Sequence, residues 1–147
     1  MANYATALNV LLVEDSPGDV RLTREAFREA NRAVDLHVAA DGVEAMAFLR
    51  REGVHTSAPR PDLVLLDLNL PKMSGHQVLA RIKANHELRS IPTVILSTSI
   101  VEEDVATSYK LQASCHLGKP ADLEDFETLV KSINDFWLGK PELPHAA

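Results

Sequence analysis

Five short apolar segments of the chain have the hydrophobic pattern of β-strands. Three of them, at 10–13, 63–66 and 94–96, are nearly continuous runs of Val, Leu and Ile, which is typical of central strands covered on both faces. In the other two, apolar positions alternate with single polar ones: Val34, Leu36 and Val38, and then Ala113, Cys115 and Leu117. This alternation predicts strands at the edges of a sheet, where one face is less buried.

A segment with helical periodicity and a capping signal follows each predicted strand. The predicted starts are Ser16 with Pro17, Asp41 with Glu44, Ser74 with Gln77, Ser99 with Glu102, and Ala121 with Asp122. The first pair is a capping serine before a proline at the first helical position, and the middle three have capping-box spacing. The periodicity predicts that Val43 of the second helix and Tyr109 of the fourth helix lie on buried faces.

Five strand–helix repeats predict one α/β domain with a doubly wound, five-stranded parallel sheet. With the two alternating strands at the edges, the strand order is 2-1-3-4-5, which is the flavodoxin-like arrangement. We expect a single domain over residues 1–147, with a core from about 8 to 138 and a short tail at 139–147. In such sheets, ligands bind beyond the carboxyl ends of the strands.

The composition argues against some classes of function and indicates the cellular compartment. The 15 Lys and Arg and 21 Asp and Glu give a formal net charge of −6, which argues against a nucleic-acid binder that neutralises phosphates. A single cysteine fits a reducing compartment. We find neither a signal peptide nor an apolar run long enough to span a membrane. We therefore expect a cytoplasmic protein with no membrane or nucleic-acid partner.

Polar and charged residues follow four of the predicted strands, where parallel strands place them at one edge of the sheet. Glu14 and Asp15 follow the first strand and Asp67 the third, while Ser97–Thr98 follow the fourth and Lys119 the fifth. Three carboxylates packed together repel one another unless a cation intervenes. Mg²⁺ is suited to this place because it binds oxygen ligands and uses few carboxylates together with water and phosphate. The sequence therefore predicts a magnesium site.

A phosphoryl group on a carboxylate fits this set of residues best. A carboxylate can attack phosphorus to give an aspartyl phosphate, and the transfer then depends on positioning and charge neutralisation. Asp67, on the middle strand, is the predicted nucleophile. Glu14 and Asp15 would hold the metal, and Asn69 could offer it a backbone carbonyl.

Four motifs resemble the receiver domains of two-component response regulators. They are Val-Glu-Asp-Ser at 13–16, Leu-Leu-Asp-Leu-Asn-Leu-Pro-Lys-Met-Ser-Gly at 65–75, Val-Ile-Leu-Ser-Thr at 94–98 and Gly-Lys-Pro at 118–120. The resemblance covers residues from about 8 to 138. The segments 11–27, 46–49 and 135–138 are more specifically similar to stand-alone regulators paired with phytochrome histidine kinases.

The resemblance implies that Asp67 accepts a phosphoryl group from the phosphohistidine of a partner histidine kinase, and the narrower similarity points to a phytochrome. The chain would then be no enzyme in the usual sense, but a phosphoacceptor that catalyses its own phosphorylation and dephosphorylation. Ser97 would move towards the phosphoryl oxygens, with Thr98 adding bulk beside them. The switch position on the fifth strand, where the family has Tyr or Phe that swings inwards, holds His116.

The predicted output is phosphorylation-dependent protein interaction or dimerisation, because we expect no output domain after the fifth helix. Leu129, Phe136 and Trp137 fall on or beside the apolar stripe of that helix and are candidate homodimer contacts. Two alternatives stay open at this point, a phosphate sink without output and an aspartyl-phosphate phosphatase. A phosphatase of the haloacid-dehalogenase type would require an aspartate as general acid at position 69, where this chain has Asn69.

Overall fold

The structure is a computed structural model that describes residues 7–30, 33–68, 70–97, 102–113, 115–120 and 122–133. Its strands are β1 (Leu8–Val13), β2 (Val34–Ala39), β3 (Leu63–Asp67), β4 (Thr93–Ser97) and β5 (Cys115–Gly118). They form one sheet in the order β2-β1-β3-β4-β5, with every neighbouring pair parallel. The predicted fold class and strand order are confirmed.

Five helices connect or follow the strands. They are α1 (Pro17–Glu29), α2 (Gly42–Arg50), α3 (Gly75–Ala84), α4 (Glu102–Lys110) and α5 (Leu123–Ile133). The connection from α2 to β3 contains a single 3₁₀ turn at Gly53–His55. The predicted cap Ser99 and the end of the predicted core, residues 134–138, lie outside the described residues.

Two apolar cores cover the two faces of the sheet. One core packs α1 and α5 against one face, and its members include Phe27, Leu65 and Phe126. The other packs α2 and α3 against the opposite face, around Leu66 and Leu79. Successive side chains of a strand point to opposite faces, so the segments 10–13, 63–66 and 94–96, which lie between the two cores, are apolar at every position. This is why β1, β3 and β4 have continuous rather than alternating patterns.

Side-chain caps fix where α1, α2 and α3 begin. Ser16 Oγ accepts a hydrogen bond from the Asp19 backbone N–H at 3.3 Å. Ser74 and Gln77 form a complete capping box, as predicted. The predicted box of α2 is only half formed. Asp41 accepts from the Glu44 N–H at 2.7 Å, but the Glu44 carboxylate accepts from Ala40 N–H at 3.3 Å instead of from the cap residue.

The predicted buried faces of α2 and α4 are wrong in detail. Val43 is 51% exposed, and α2 instead buries the side that carries Phe48 and Leu49, because those side chains remove more apolar surface from water. On α4, Tyr109 is 49% exposed, while Ser108 is fully buried.

On the edge strands, the expected alternation holds over 34–36 of β2 but fails at His37 and Val38 and at His116 of β5. In β2, Val38 is 38% exposed, and His37 packs instead on the ring of Phe48, 5.2 Å away. In β5, the polar position His116 is only 8% exposed. Ala113 lies before β5 in the turn that closes α4, where its N–H donates to the Ser108 carbonyl at 3.0 Å.

Candidate functional site

Three carboxylates meet at the carboxyl ends of β1 and β3. Glu14 and Asp15 follow β1, and Asp67 is the last residue of β3, the strand paired with β1. One oxygen from each carboxylate lies within 4.8 Å of the other two. Glu14 and Asp67 are buried and Asp15 is exposed. The cluster is therefore open to solvent on one side and closed on the other.

Lys119, just beyond β5, reaches into this cluster. Its Nζ lies 2.6 Å from Glu14 Oε1, 2.8 Å from Asp19 Oδ2 and 3.4 Å from Asp67 Oδ2. Its backbone N–H donates to the Ser97 carbonyl at 2.8 Å, which ties the end of β5 to the end of β4. The side chain is only 8% exposed, so one buried ammonium faces several acids.

Burial and charge shift the pKa values of Glu14 and Lys119. Burial raises the Glu14 pKa above its ordinary value, and the nearby Asp67 charge adds to this, while hydrogen bonds from Lys119 and the Ser16 N–H oppose it. Burial by itself lowers the Lys119 pKa. Its hydrogen bonds to Asp19 and Glu14, together with the charge of Asp67, outweigh burial and raise the pKa above the ordinary range. Lys119 therefore stays protonated at neutral pH.

Asp19 belongs to the site but was not among the residues predicted from the sequence. It lies in the first turn of α1, where an acid is ordinarily attributed to the helix dipole. The position of Asp19 in the sequence could have indicated its role. Ser16 caps α1 directly after the acid pair, so the first turn of α1, which carries Asp19, lies over the strand ends. The capped helix brings its carboxylate to Lys119.

The loop between β3 and α3 is held tightly against Asp67. The Gly75 N–H donates to the Leu68 carbonyl at 2.9 Å. A Cβ at Gly75 would stand 2.7 Å from the Leu68 Cα and would collide with the Asp67 carbonyl oxygen. Only glycine permits this approach, so Gly75 sets the backbone that presents Asp67.

The structure places the remaining predicted residues differently from one another. Ser97 is fully buried at the end of β4, and its register partner on β5 is Gly118. His116 is buried on β5, with its imidazole directed to Ser108 of α4. Leu129 is half-buried against the core of α1 and α5. The other predicted positions, Asn69, Thr98, Phe136 and Trp137, lie outside the described residues.

The donor set of this cluster fits a hard divalent cation. All three groups offer carboxylate oxygens, which are the ligands that Mg²⁺ and similar ions bind. The exposed side at Asp15 is open to water. Several acids also surround the single ammonium of Lys119, so the cluster keeps a net negative charge that a cation would neutralise.

Comparison with known proteins identifies the family. The family model described as "Response regulator receiver domain" matches residues 10–131. The chain belongs to the response regulator receiver family. The response regulator Rcp1 of a Synechocystis species is 47% identical to it over 137 residues, which are 93% of each chain. This bears out the resemblance found in the sequence.

Solved structures of phytochrome response regulators are similar to this receiver protein. The phosphorylated cyanobacterial phytochrome response regulator RcpA is 46% identical, with a TM-score of 0.88 over 95% of this chain and 99% of that one. The Mn²⁺-bound form of Rcp1 is 46% identical, with a TM-score of 0.85 over 93% and 99%. Within the described ranges, no helix has the length and apolar character needed to cross a membrane.

Proposed function

We propose that this response regulator accepts a phosphoryl group on Asp67, with Mg²⁺ held by Glu14, Asp15 and Asp67. The observation that carries the proposal is the cluster itself. Asp67 is 6% exposed at the end of β3, its carboxylate lies beside two further acids, and a buried ammonium is 3.4 Å away. The backbone carbonyl of Asn69 is the further ligand that we propose for the metal.

Phosphoryl transfer follows from these positions. One Asp67 carboxylate oxygen attacks the phosphorus of a phosphohistidine, so that an O–P bond forms as the P–N bond breaks and the imidazole leaves. The Lys119 ammonium stabilises the charge on the equatorial oxygens. When bound, Mg²⁺ would supply further neutralisation of the phosphoryl oxygens.

Ser97 and Thr98 are the proposed contacts for the phosphoryl group on the side of β4. Ser97 ends the strand beside β3, and its register partner on β5 lies one residue before Lys119. Its hydroxyl can donate to a phosphoryl oxygen. In the same site, water attack on phosphorus breaks the Asp67 O–P bond and releases inorganic phosphate, so the chain would also catalyse its own dephosphorylation.

The proposed phosphoryl donor is a histidine kinase, specifically a phytochrome, in the cytoplasm. Support comes from RcpA, a cyanobacterial phytochrome response regulator that is 46% identical to this chain. The net charge of −6 supports a protein partner rather than a nucleic acid. Transfer from a phytochrome kinase under red and far-red light is the direct test. Equal transfer from the phytochrome and from unrelated histidine kinases would contradict this assignment.

The proposed output is dimerisation or partner binding through a surface near Leu129, Phe136 and Trp137. Of these three residues, the structure describes Leu129, which is half-buried beside the core of α1 and α5. Light-scattering masses, measured with and without phosphorylation over a wide concentration range, test the dimer. A mass that phosphorylation leaves unchanged would favour a monomeric output or a phosphate sink.

The phosphoacceptor is tested with a small phosphoryl donor. We expect acetyl phosphate with Mg²⁺ to add one phosphoryl group to the wild type and none to Asp67→Asn. The matched control is Asp35→Asn, because Asp35 is exposed on β2, and it should label like the wild type. Intact-protein mass spectrometry gives the count. Labelling that persists in Asp67→Asn would overturn the assignment.

A further inference from the structure

A buried hydroxyl joins two imidazoles on the side of the sheet covered by α3 and α4. Ser108 of α4 is fully buried. Its Oγ lies 2.7 Å from Nδ1 of His116 on β5 and 2.8 Å from Nε2 of His76 on α3. The chain His76–Ser108–His116 therefore connects three elements through one oxygen.

The protons of this chain are coupled. A serine hydroxyl has a single proton, so it donates to at most one of the two imidazoles and must accept from the other. The tautomers of His76 and His116 therefore depend on each other. Replacing Ser108 removes both hydrogen bonds at once.

The buried position of His116 satisfies one ring nitrogen but not the other. Its Nε2 is buried and has no hydrogen-bond partner within the described residues. A buried polar atom without a partner opposes the conformation that buries it. Rotation of the ring outwards would bring Nε2 to water but would break the bond to Ser108. The bond to Ser108 thus favours the inner position of the imidazole over an outward one.

Two hydroxyls of α4 make hydrogen bonds to β5. Between residues 105 and 110, the buried side chain is that of Ser108. The neighbouring Tyr109 is half-exposed, and its hydroxyl accepts a hydrogen bond from the His116 backbone N–H at 3.1 Å. Among the side chains of α4 that the structure describes, those of Ser108 and Tyr109 thus hydrogen-bond to β5 through their hydroxyls.

We propose that the His76–Ser108–His116 chain is a latch, which holds His116 inwards and α4 closed before phosphorylation and opens when Asp67 is phosphorylated. The inference rests on the proposed function of Asp67. The link is β5, which carries His116 and leads directly to Lys119. A phosphoryl group that draws Lys119 away from Glu14 and Asp19 shifts the strand that holds the latch. His116 therefore does not need to swing inwards on phosphorylation, unlike the switch residue that the resemblance implied.

Hydrogen exchange of α4 tests the latch. We expect Ser108→Ala to speed amide exchange over residues 102–110 by about fivefold or more, the size expected for a lost net hydrogen bond. Exchange in α1 and α5 should stay nearly unchanged. The matched control is Thr128→Ala, which removes an exposed hydroxyl that donates to the Glu124 carbonyl of its own helix at 3.2 Å. This control should leave α4 exchange at the wild-type rate.

A second set of exchange measurements adds beryllofluoride, an analogue of the phosphoryl group, together with Mg²⁺. The analogue should speed α4 exchange in the wild type and add little in Ser108→Ala, where the latch is already open. Nitrogen-15 spectra of the imidazoles should show one fixed His116 tautomer in the wild type and tautomer exchange in the variant. If Ser108→Ala does not fold, His76→Gln, at a half-buried position, should produce the same changes at smaller size.

Three results would overturn the latch: unchanged α4 exchange in Ser108→Ala, an equal increase across the whole chain, or an equal response to beryllofluoride in both proteins. Failure of the proposed function is recognised separately. If the analogue binds neither protein, Asp67 is not the acceptor, but the comparison without analogue still shows whether Ser108 holds α4.

Discussion

At the scale of single residues, Lys119 is the charge on which the site depends. Its ammonium contacts Glu14, Asp19 and Asp67 while being 8% exposed. Removing one partner of a buried ion pair leaves the other charge uncompensated, which costs more than the pair contributes. The same residue therefore serves the stability of the fold and the chemistry proposed for the site.

We expect Lys119→Met to lower the free energy of unfolding by about 3 kcal/mol without Mg²⁺. Saturating Mg²⁺ should recover part of this loss, because it neutralises the same acids. Urea unfolding measures both. The control Lys131→Met changes an exposed position on α5 and should stay within about 0.5 kcal/mol of the wild type. Equal losses in the two variants would contradict a special role for Lys119.

Gly75 tests the backbone that presents Asp67. We expect Gly75→Ala to lower stability and to slow labelling by acetyl phosphate by at least about tenfold, since a Cβ there collides with the Asp67 carbonyl. Gly18→Ala is the matched control. A Cβ there would meet Ser16 Oγ at 3.9 Å, an ordinary contact distance, and alanine favours a helix over glycine by about 0.5–1 kcal/mol. Similar labelling rates in both variants would refute the steric argument.

At the scale of elements, the start of α2 shows how one cap combines hydrogen bonding with charge. The Asp41 carboxylate accepts from the Glu44 N–H at 2.7 Å, and Lys72 Nζ lies 3.4 Å away. The hydrogen bond from Glu44, followed by the charge of Lys72, lowers the Asp41 pKa below its ordinary value. A lowered carboxyl pKa stabilises the fold above the unfolded-state pKa, and this gain is lost as pH falls through the folded-state pKa.

We therefore expect the stability difference between wild type and Asp41→Asn to be larger at pH 6 than at pH 3. Asparagine caps a helix about as well as aspartate but carries no charge. Ser74→Ala is the control, because it removes an uncharged cap of α3 and should cost about 1 kcal/mol at either pH. Urea unfolding at the two pH values measures the differences. A difference for Asp41→Asn that does not change with pH would contradict the charge contribution.

At the scale of the whole molecule, the strand order assembles the site. β1 pairs with β3, β3 with β4 and β4 with β5, all parallel, so residues far apart in the chain end at one edge. The acids collected there oppose folding by mutual repulsion. A cation that binds the folded cluster should therefore stabilise the entire domain through linkage.

We expect Mg²⁺ at a hundredfold excess over its dissociation constant to add about 2.7 kcal/mol of stability. For a domain of this size, the corresponding rise in the melting temperature is about 5–10 °C. Calorimetric scans with Mg²⁺ and with NaCl at equal ionic strength separate binding from screening. Asp67→Asn should lose most of the rise. Equal melting temperatures in the two salts would count against a metal site.

Much of the fold could be predicted because its strands and helix starts have recognisable local sequence patterns. Strand segments between two cores are apolar at successive positions, as at 63–66, and Ser16 and Ser74 mark helix starts through bonds to residues a few positions away. The edges were less predictable. Val38 and Val43 are exposed and His116 is buried, because the neighbouring elements decide which face of an edge strand or helix is covered.

The sequence by itself determined the strand order, the helix starts and the acids and lysine at the strand ends, because hydrophobic period and capping act over short distances. Only the tertiary structure decided that Asp19 joins Lys119 and that Ser108 bonds two imidazoles. Those contacts depend on how α1, α3 and α4 are placed against the sheet. No spacing along the chain encodes the distance between side chains of different elements, because packing fixes it.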